Sequence, residues 1–325
     1  MKVLVTGSMG LVGSEAARFY LDRNCFVTGV DNDMRRHFFG EEASVAKNMI
    51  IHPNYLHVGK DISKIEEVFK DGYDVIIHAA AQPSHDWAAQ NPLLDFGINA
   101  YGTLMLLEMT RKYSPDSVFI YVSTNKVYGD WPNHLDIEEQ ETRYERPLSQ
   151  GIDETMPIDQ CTHSLFGVSK LSGDLMAQEY ARYFGIKTGI FRCGCITGPQ
   201  HAGTEQHGFL SYIVKCYKNR KKYTIYGYKG KQVRDNIHAH DLVRAFDHFV
   251  NSPRPGEVYN MGGGRHSNIS VLEALNRLDM EYEYILEPRK GDHIWYITDT
   301  SKFKSHYPEW EYEYDIDRIL DELIK

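Results

Sequence analysis

The sequence has little cysteine, no long apolar run and no excess of basic charge. Its five cysteines among 325 residues are odd in number and include no Cys-x-x-Cys pair, which argues against a disulfide scaffold and against a cysteine-based zinc site. No apolar run approaches the length that crosses a bilayer, and the N-terminus enters a strand-like segment without the shape of a signal peptide. With reduced cysteines, this reads as a cytoplasmic protein with no membrane partner. Lys and Arg number 36 against 45 Asp and Glu, a formal charge of −9, which argues against nucleic acid as the main partner. Fifteen histidines invite a metal site, but His238 and His240 are the one close pair, and no metal is assigned. Repeats and low-complexity tracts are absent as well. The length suits one large or two modest domains.

What is present starts at the N-terminus. An apolar run at 3–5 is followed by Gly7, Gly10 and Gly13, and by Leu11, Val12, Ala16, Ala17, Phe19 and Tyr20 at helical spacing. That reads as strand, tight turn and helix. Glycines at such a turn let the chain reverse, let backbone approach a pyrophosphate and let the helix pack closely on the strand, while the helix N-terminus favours anions. A second strand over 26–30 ends in Asp31, at the distance where a carboxylate takes hydrogen bonds from adenosine ribose hydroxyls. Asp31 would repel a 2′-phosphate and so favours NAD over NADP; Arg35 and Arg36 are the opposing signal. The run 74–81 is a buried strand ending in small residues, Ala79, Ala80 and Ala81, as needed where a cofactor lies against backbone. Asn99 lies in a helical stretch, and 117–123 is a further β-branched and aromatic strand. Strands alternating with helices across short connections predict an α/β fold, a doubly wound parallel sheet of the Rossmann type. The connection over 130–163, rich in Pro, Glu and polar residues, has the length of a lid, binding loop or linker.

Tyrosine is missing from one particular place. SLFGVSK at 164–170 sets Lys170 four residues after Phe166, and VSTNKVYGD at 122–130 sets Thr124 upstream of both. This pattern resembles the catalytic core of the extended short-chain dehydrogenase/reductases, the NAD-dependent epimerases and dehydratases. Their motif opens with Tyr, the general base, where this chain has Phe166. A phenyl ring neither accepts nor donates a proton. The resemblance implies that the Thr124 hydroxyl bonds the sugar hydroxyl being oxidised. It also implies that Lys170 binds the nicotinamide ribose, where ordinary members use it to acidify the tyrosine. It implies NAD as cofactor, held by Gly7, Gly10, Leu11, Val12, Gly13, Asp31, Asn32, Asp61, Ile62, Ala79, Ala80, Ala81, Asn99 and Lys170, with Asp61 and Ile62 at the adenine.

Dehydratases of this family carry Asp-Glu after the Thr; Asn125 and Lys126 stand here and cannot perform that carboxylate chemistry. The motif STNKVYGD, followed by ETRYE, GIDE, PID, EYARYFG, FRCGCITGPQHAGTEQHGF and TIYGYKGKQVRDNIHAHDL, is most similar to the CDP-paratose (CDP-tyvelose) 2-epimerases. That similarity implies a nucleotide-diphosphate sugar as substrate, met by Asn125, Cys195, Arg234 and Arg289, the two arginines clasping the diphosphate. It implies a loop over 203–208 closing on the nucleotide. A Rossmann domain of 1–190 plus 233–260 would be joined by a smaller nucleotide-sugar domain of 191–232 plus 261–325. Helices near 95–113 and 165–184 would pair two copies through Leu104, Met105, Leu107 and Met109 on one and Leu171, Leu175, Met176 and Tyr180 on the other. Two departures stand out: Phe166 itself, and the loop QPSHDW at 82–87. That loop offers His85 as a substitute base, with His163, one helical turn before Phe166, as a second. Phe166 is then either a deliberate replacement that holds substrate without turnover or a natural variant whose base lies elsewhere.

Overall fold

A computed structural model describes residues 1–205, 208–289 and 291–325. Seven strands form one parallel sheet in the spatial order Glu257–Met261, Lys187–Cys193, Val118–Thr124, Val75–His78, Lys2–Thr6, Phe26–Val30, Tyr55–Val58. This is the doubly wound arrangement that the alternating pattern predicts. Burial on both faces explains why its strands read as continuous apolar runs. Val3 and Val5 face one layer and Leu4 the other, as the two-residue period of a strand requires. Beneath the first face pack Ala16, Phe19 and Tyr20 of helix Leu11–Leu21 and Leu242, Phe246 and Phe249 of helix Ala239–Asn251. Beneath the second pack Leu106 and Leu107 of helix Gly102–Tyr113 and Ala177 and Tyr180 of helix Leu165–Phe184.

The remaining elements gather at the C-terminal edge of the sheet. Val233–His238 is the central strand of a small mixed sheet, flanked by Asn268–Ser270, Trp295–Tyr296 and Cys195–Thr197. Helices Phe209–Lys218, Val271–Arg277 and Ile316–Ile324 share a separate apolar cluster with Tyr223 and Ile225. Strand Lys187–Cys193 continues through residue 190, where one domain boundary is expected, and Phe303, Tyr307 and Trp310 pack with Phe191, Phe246 and Tyr259 under the large sheet. The connection over 130–163 is stitched down rather than free to swing. Ile152 bonds Ile297 through backbone, Glu154 accepts from the Asn260 amide, and Arg265 donates to Ser149 and Glu145. Its composition hid this because Ile152 is apolar among polar neighbours and is covered by Tyr128, Trp295 and Ile297.

One buried ion pair ties helix Leu165–Phe184 to the sheet. Asp174 takes two bonds from the Arg192 guanidinium, at 3.0 and 2.9 Å, and one from the Ser123 hydroxyl at 2.6 Å. Removing one partner of a buried pair strands the other charge. Asp174→Ala is therefore expected to lower stability by about 3–5 kcal/mol in urea unfolding. Glu108→Ala, at an exposed pair with Arg111, is expected to cost under about 1 kcal/mol. Equal costs would show that the buried pair does not organise this region.

Candidate active site

A cavity of about 510 Å³ runs along the C-terminal ends of the central strands. It opens where the chain, after building outward from Lys2–Thr6 to Tyr55–Val58, crosses back to Val75–His78. Ligands bind at such a reversal in open α/β sheets. Gly7, at φ 70°, has no room for a side chain: a Cβ would lie 2.7 Å from the Ala80 nitrogen. At Gly13 a Cβ would lie 2.0 Å from the Gly7 oxygen, so this glycine brings helix Leu11–Leu21 onto the turn. Gly10 caps that helix with no side-chain acceptor and no acid in the first turn, which leaves the amides of the first turn available to an anion. This cradle fits a dinucleotide pyrophosphate.

Asp31 and Asn32 line the cavity beyond the cradle. The Asp31 carboxylate accepts from the amides of Met9 at 2.9 Å and Asp33 at 2.8 Å, and burial raises its pKa against these bonds. The two following arginines part company. Arg36 is turned outward onto Glu41, while Arg35 lines the cavity and donates to the Ala202 carbonyl at 2.7 Å. Asp61, Ile62, Ala79, Ala80 and Ala81 line the same space. Asn99 does not. Its amide donates to Gln82, Asp95 and Ser169 and accepts from the Gln82 amide, in a buried polar cluster off the cavity.

At the reacting end stand Thr124, Asn125, Phe166 and Lys170. Four residues apart on one helix, Phe166 and Lys170 share a face. The Lys170 amine donates to the Val122 carbonyl at 2.8 Å and lies 4.3 Å from the Tyr121 ring centre; burial brings its pKa down to about 8, against the pull of Asp174. His85 meets the edge of Phe166, ring centres 5.0 Å apart, and its Nδ1 lies 2.6 Å from the Ser164 hydroxyl. Burial, and then the Lys126 cation, push its pKa down to about 3. His163 does not line the cavity. Helix Leu165–Phe184 begins after its cap, Ser164, so helical spacing does not carry back to 163, and the His163 Nε2 bonds the Ile158 carbonyl at 2.8 Å.

Cys195, Arg234 and Arg289 line the cavity too. Burial raises the Cys195 thiol to about 11. Arg234 is ion-paired with Asp292, rather than with the sequence neighbours Asp235 or Asp241. Arg289 donates to the Glu205 carbonyl at 2.6 Å and lies over Tyr226 at 4.2 Å. Of the loop over 203–208, Gln206 and His207 lie outside the described residues. Sequence reasoning missed Lys126 and Asp292, which line the same cavity as Glu205 of the 203–208 loop. Lys126 was legible only as a residue that is not a carboxylate; its amine donates to the Gly291 carbonyl at 2.8 Å.

Residues 3–262 match the model of the NAD dependent epimerase/dehydratase family. The chain is 33% identical to CDP-paratose 2-epimerase of Salmonella typhi, over 93% of its own length and 92% of the relative's. Its fold is similar to UDP-glucose 4-epimerase with UDP-glucose from Thermotoga maritima, with TM-score 0.80 and 25% identity over 100% and 97% of the two chains. It is similar as well to dTDP-glucose 4,6-dehydratase in complex with NAD from Bacillus anthracis, with TM-score 0.77 and 26% identity over 100% and 95%.

A 2′-phosphate set against Asp31 meets like charge, at a cost of a few kcal/mol. Calorimetric titration is therefore expected to give NAD at least about tenfold tighter binding than NADP, with Asp31→Asn narrowing the gap. Equal affinities in the unaltered protein would assign Arg35 to the phosphate instead.

Proposed function

The chain belongs to the NAD dependent epimerase/dehydratase family, and from that premise we propose that it is a nucleotide-sugar epimerase, akin to the CDP-paratose 2-epimerases, which inverts a sugar carbinol carbon. Its cofactor is NAD, which would supply reversible hydride acceptance at that carbon with no net oxidation. The glycine turn, Asp31 and Lys170 would hold it.

The observation that carries the reading is a single cavity joining the glycine cradle, Thr124 and Lys170 to two guanidiniums, Arg234 and Arg289. A protein that only sensed a dinucleotide has no use for both arginines. Guanidiniums suit diphosphate oxygens, and Asp292 and Glu205 hold these two in place meanwhile. The Thr124 hydroxyl, at the end of its strand, would orient the sugar hydroxyl. Asn125 and Lys126 stand where family dehydratases carry their carboxylates, which favours epimerisation over loss of water. The rival reading, a protein that holds NAD and a nucleotide sugar without turning it over, is favoured by Phe166 alone.

Among the described residues no helix is long and apolar enough to cross a membrane. Five free cysteines fit a cytoplasmic setting. We assign a homodimer to the faces of the helical run over 92–113 and of helix Leu165–Phe184. Leu107, Met109 and Tyr180 are buried within the subunit, so the outward apolar surface is made instead by Leu93, Phe96, Tyr101, Leu165, Val168 and Leu175.

Two measurements test the epimerase and dimer readings. Incubation with CDP-, UDP- and dTDP-sugars, followed by NMR, is expected to yield an epimer of one of them with the bound cofactor in its original oxidation state. A dehydrated product would instead make the enzyme a dehydratase, and no product from any sugar would leave the binding protein. Light scattering at micromolar concentration is expected to give a dimer that Leu175→Glu converts to monomer; a monomeric unaltered protein would contradict the assignment.

A further inference from the structure

Resting on the epimerase reading, we infer that the side-chain amine of Lys126 is the general base that replaces the missing tyrosine. Three placements point to it. Lys126 lines the cavity together with Thr124, Phe166 and Lys170. Its backbone amide donates to the Thr124 hydroxyl at 3.2 Å, and its carbonyl lies so near Gly167 that a Cβ there would be 2.9 Å away. Its chain is thus fixed between the hydroxyl that orients substrate and the residue next to Phe166. Finally, the amine is held by the Gly291 carbonyl, and Gly291 in turn lies against His85, whose ring meets Phe166; a Cβ on Gly291 would be 3.4 Å from the His85 Nδ1.

The alternatives are poorer acceptors. His85, pushed down to about 3 by burial and then by the Lys126 cation, is the weaker proton acceptor of the two, with Lys126 at about 8. Cys195, at about 11, stays a thiol. The Lys126 value falls through burial, against the Asp292 carboxylate, with the Arg234 guanidinium lowering it further and Cys195 opposing; His85 and His293 face it as neutral rings, each held far below its ordinary value by burial first. A base is most effective when its pKa lies near the working pH, and Lys126 meets that condition.

The step balances. The neutral amine takes the proton of the carbinol O–H, the carbon loses hydrogen with its electron pair to the bound nicotinamide, and the C–O bond becomes a carbonyl. After the sugar turns over, the carbon regains hydrogen and the pair on its opposite face, and the ammonium returns the proton to oxygen. Turnover then needs neutral Lys126, so the rate rises with pH by about tenfold between 7 and 9.

Lys126→Arg separates the base from a mere cation, since a guanidinium keeps the charge but does not deprotonate. It is expected to keep nucleotide-sugar binding and lose about 10²-fold or more in turnover. Phe166→Tyr added to Lys126→Arg is expected to restore at least tenfold of that loss, with the rise in rate moved away from pH 8. Independently of turnover, NMR of the ¹³C-dimethylated protein, with Lys126 assigned by its loss in the Arg variant, is expected to show this amine titrating near 8 and its fellow lysines on the surface near their ordinary value. An Arg variant as active as the unaltered enzyme, or a Lys126 that titrates with surface lysines, overturns the inference while leaving the epimerase reading in place. A Lys126 titrating near 8 in a protein that turns over no nucleotide sugar, with Phe166→Tyr equally inert, overturns both.

Discussion

The carboxylate of Asp174 is the fixed point on which the reacting end depends. Buried in helix Leu165–Phe184, it accepts from Ser123 at the end of strand Val118–Thr124 and from Arg192 in the neighbouring strand. Arg192 continues to the Tyr128 hydroxyl, and Tyr128 to Asn260. A charge of this kind, desolvated and fully bonded, tolerates little displacement, because any gap leaves an unpaired ion in low dielectric. It therefore holds one helix face at a set height over two strand ends. Lys170 and Phe166 lie one and two turns back along that helix, so their approach to Thr124 is a consequence of the Asp174 network.

The same rigidity shapes the electrostatics. Lys170 is buried and Lys126 half-buried, and each amine is brought down to about 8 with burial as the largest cause, against the carboxylates of Asp174 and Asp292 respectively. They have different neighbours. Lys170 is bound to the Val122 carbonyl and set over Tyr121, next to the space the cofactor would fill. Lys126 stands among Asp292, Arg234 and Gly291. Both amines line the cavity that Phe166 lines. They also leave the family's scaffold for holding dinucleotide and sugar undisturbed.

Much of this was legible in the sequence. Gly7, Gly10 and Gly13 carry their meaning locally, because turn, cradle and helix start all lie within a few residues. Asp31 and Ala79 through Ala81 could be placed because they end strands, and strand ends face the cavity in this sheet. What could not be read depends on distant partners. Asn99 has its amide satisfied by Gln82, Asp95 and Ser169, and so turns away from the cavity. His163 shared a helical face with Phe166 only if the helix began earlier than its Ser164 cap allows. Phe303 and Trp310, far along the chain, join the core beneath the first sheet face through contacts that no local pattern encodes. The acidity of Lys126 arises from burial and from the Arg234 guanidinium, far from it in sequence, against the opposing Asp292 carboxylate, so its neighbours in the motif gave no sign of it.

The central claim is that carbon inversion proceeds by removal and return of one hydrogen at a site without tyrosine. The most direct measurement is the epimerisation carried out in deuterium oxide, with the product read by proton NMR and mass. The account expects the inverted carbon to keep its original hydrogen and to carry no deuterium, since that hydrogen leaves and returns without entering solvent. Deuterium at the inverted carbon would mean that it was released to water as a proton, and would contradict the account.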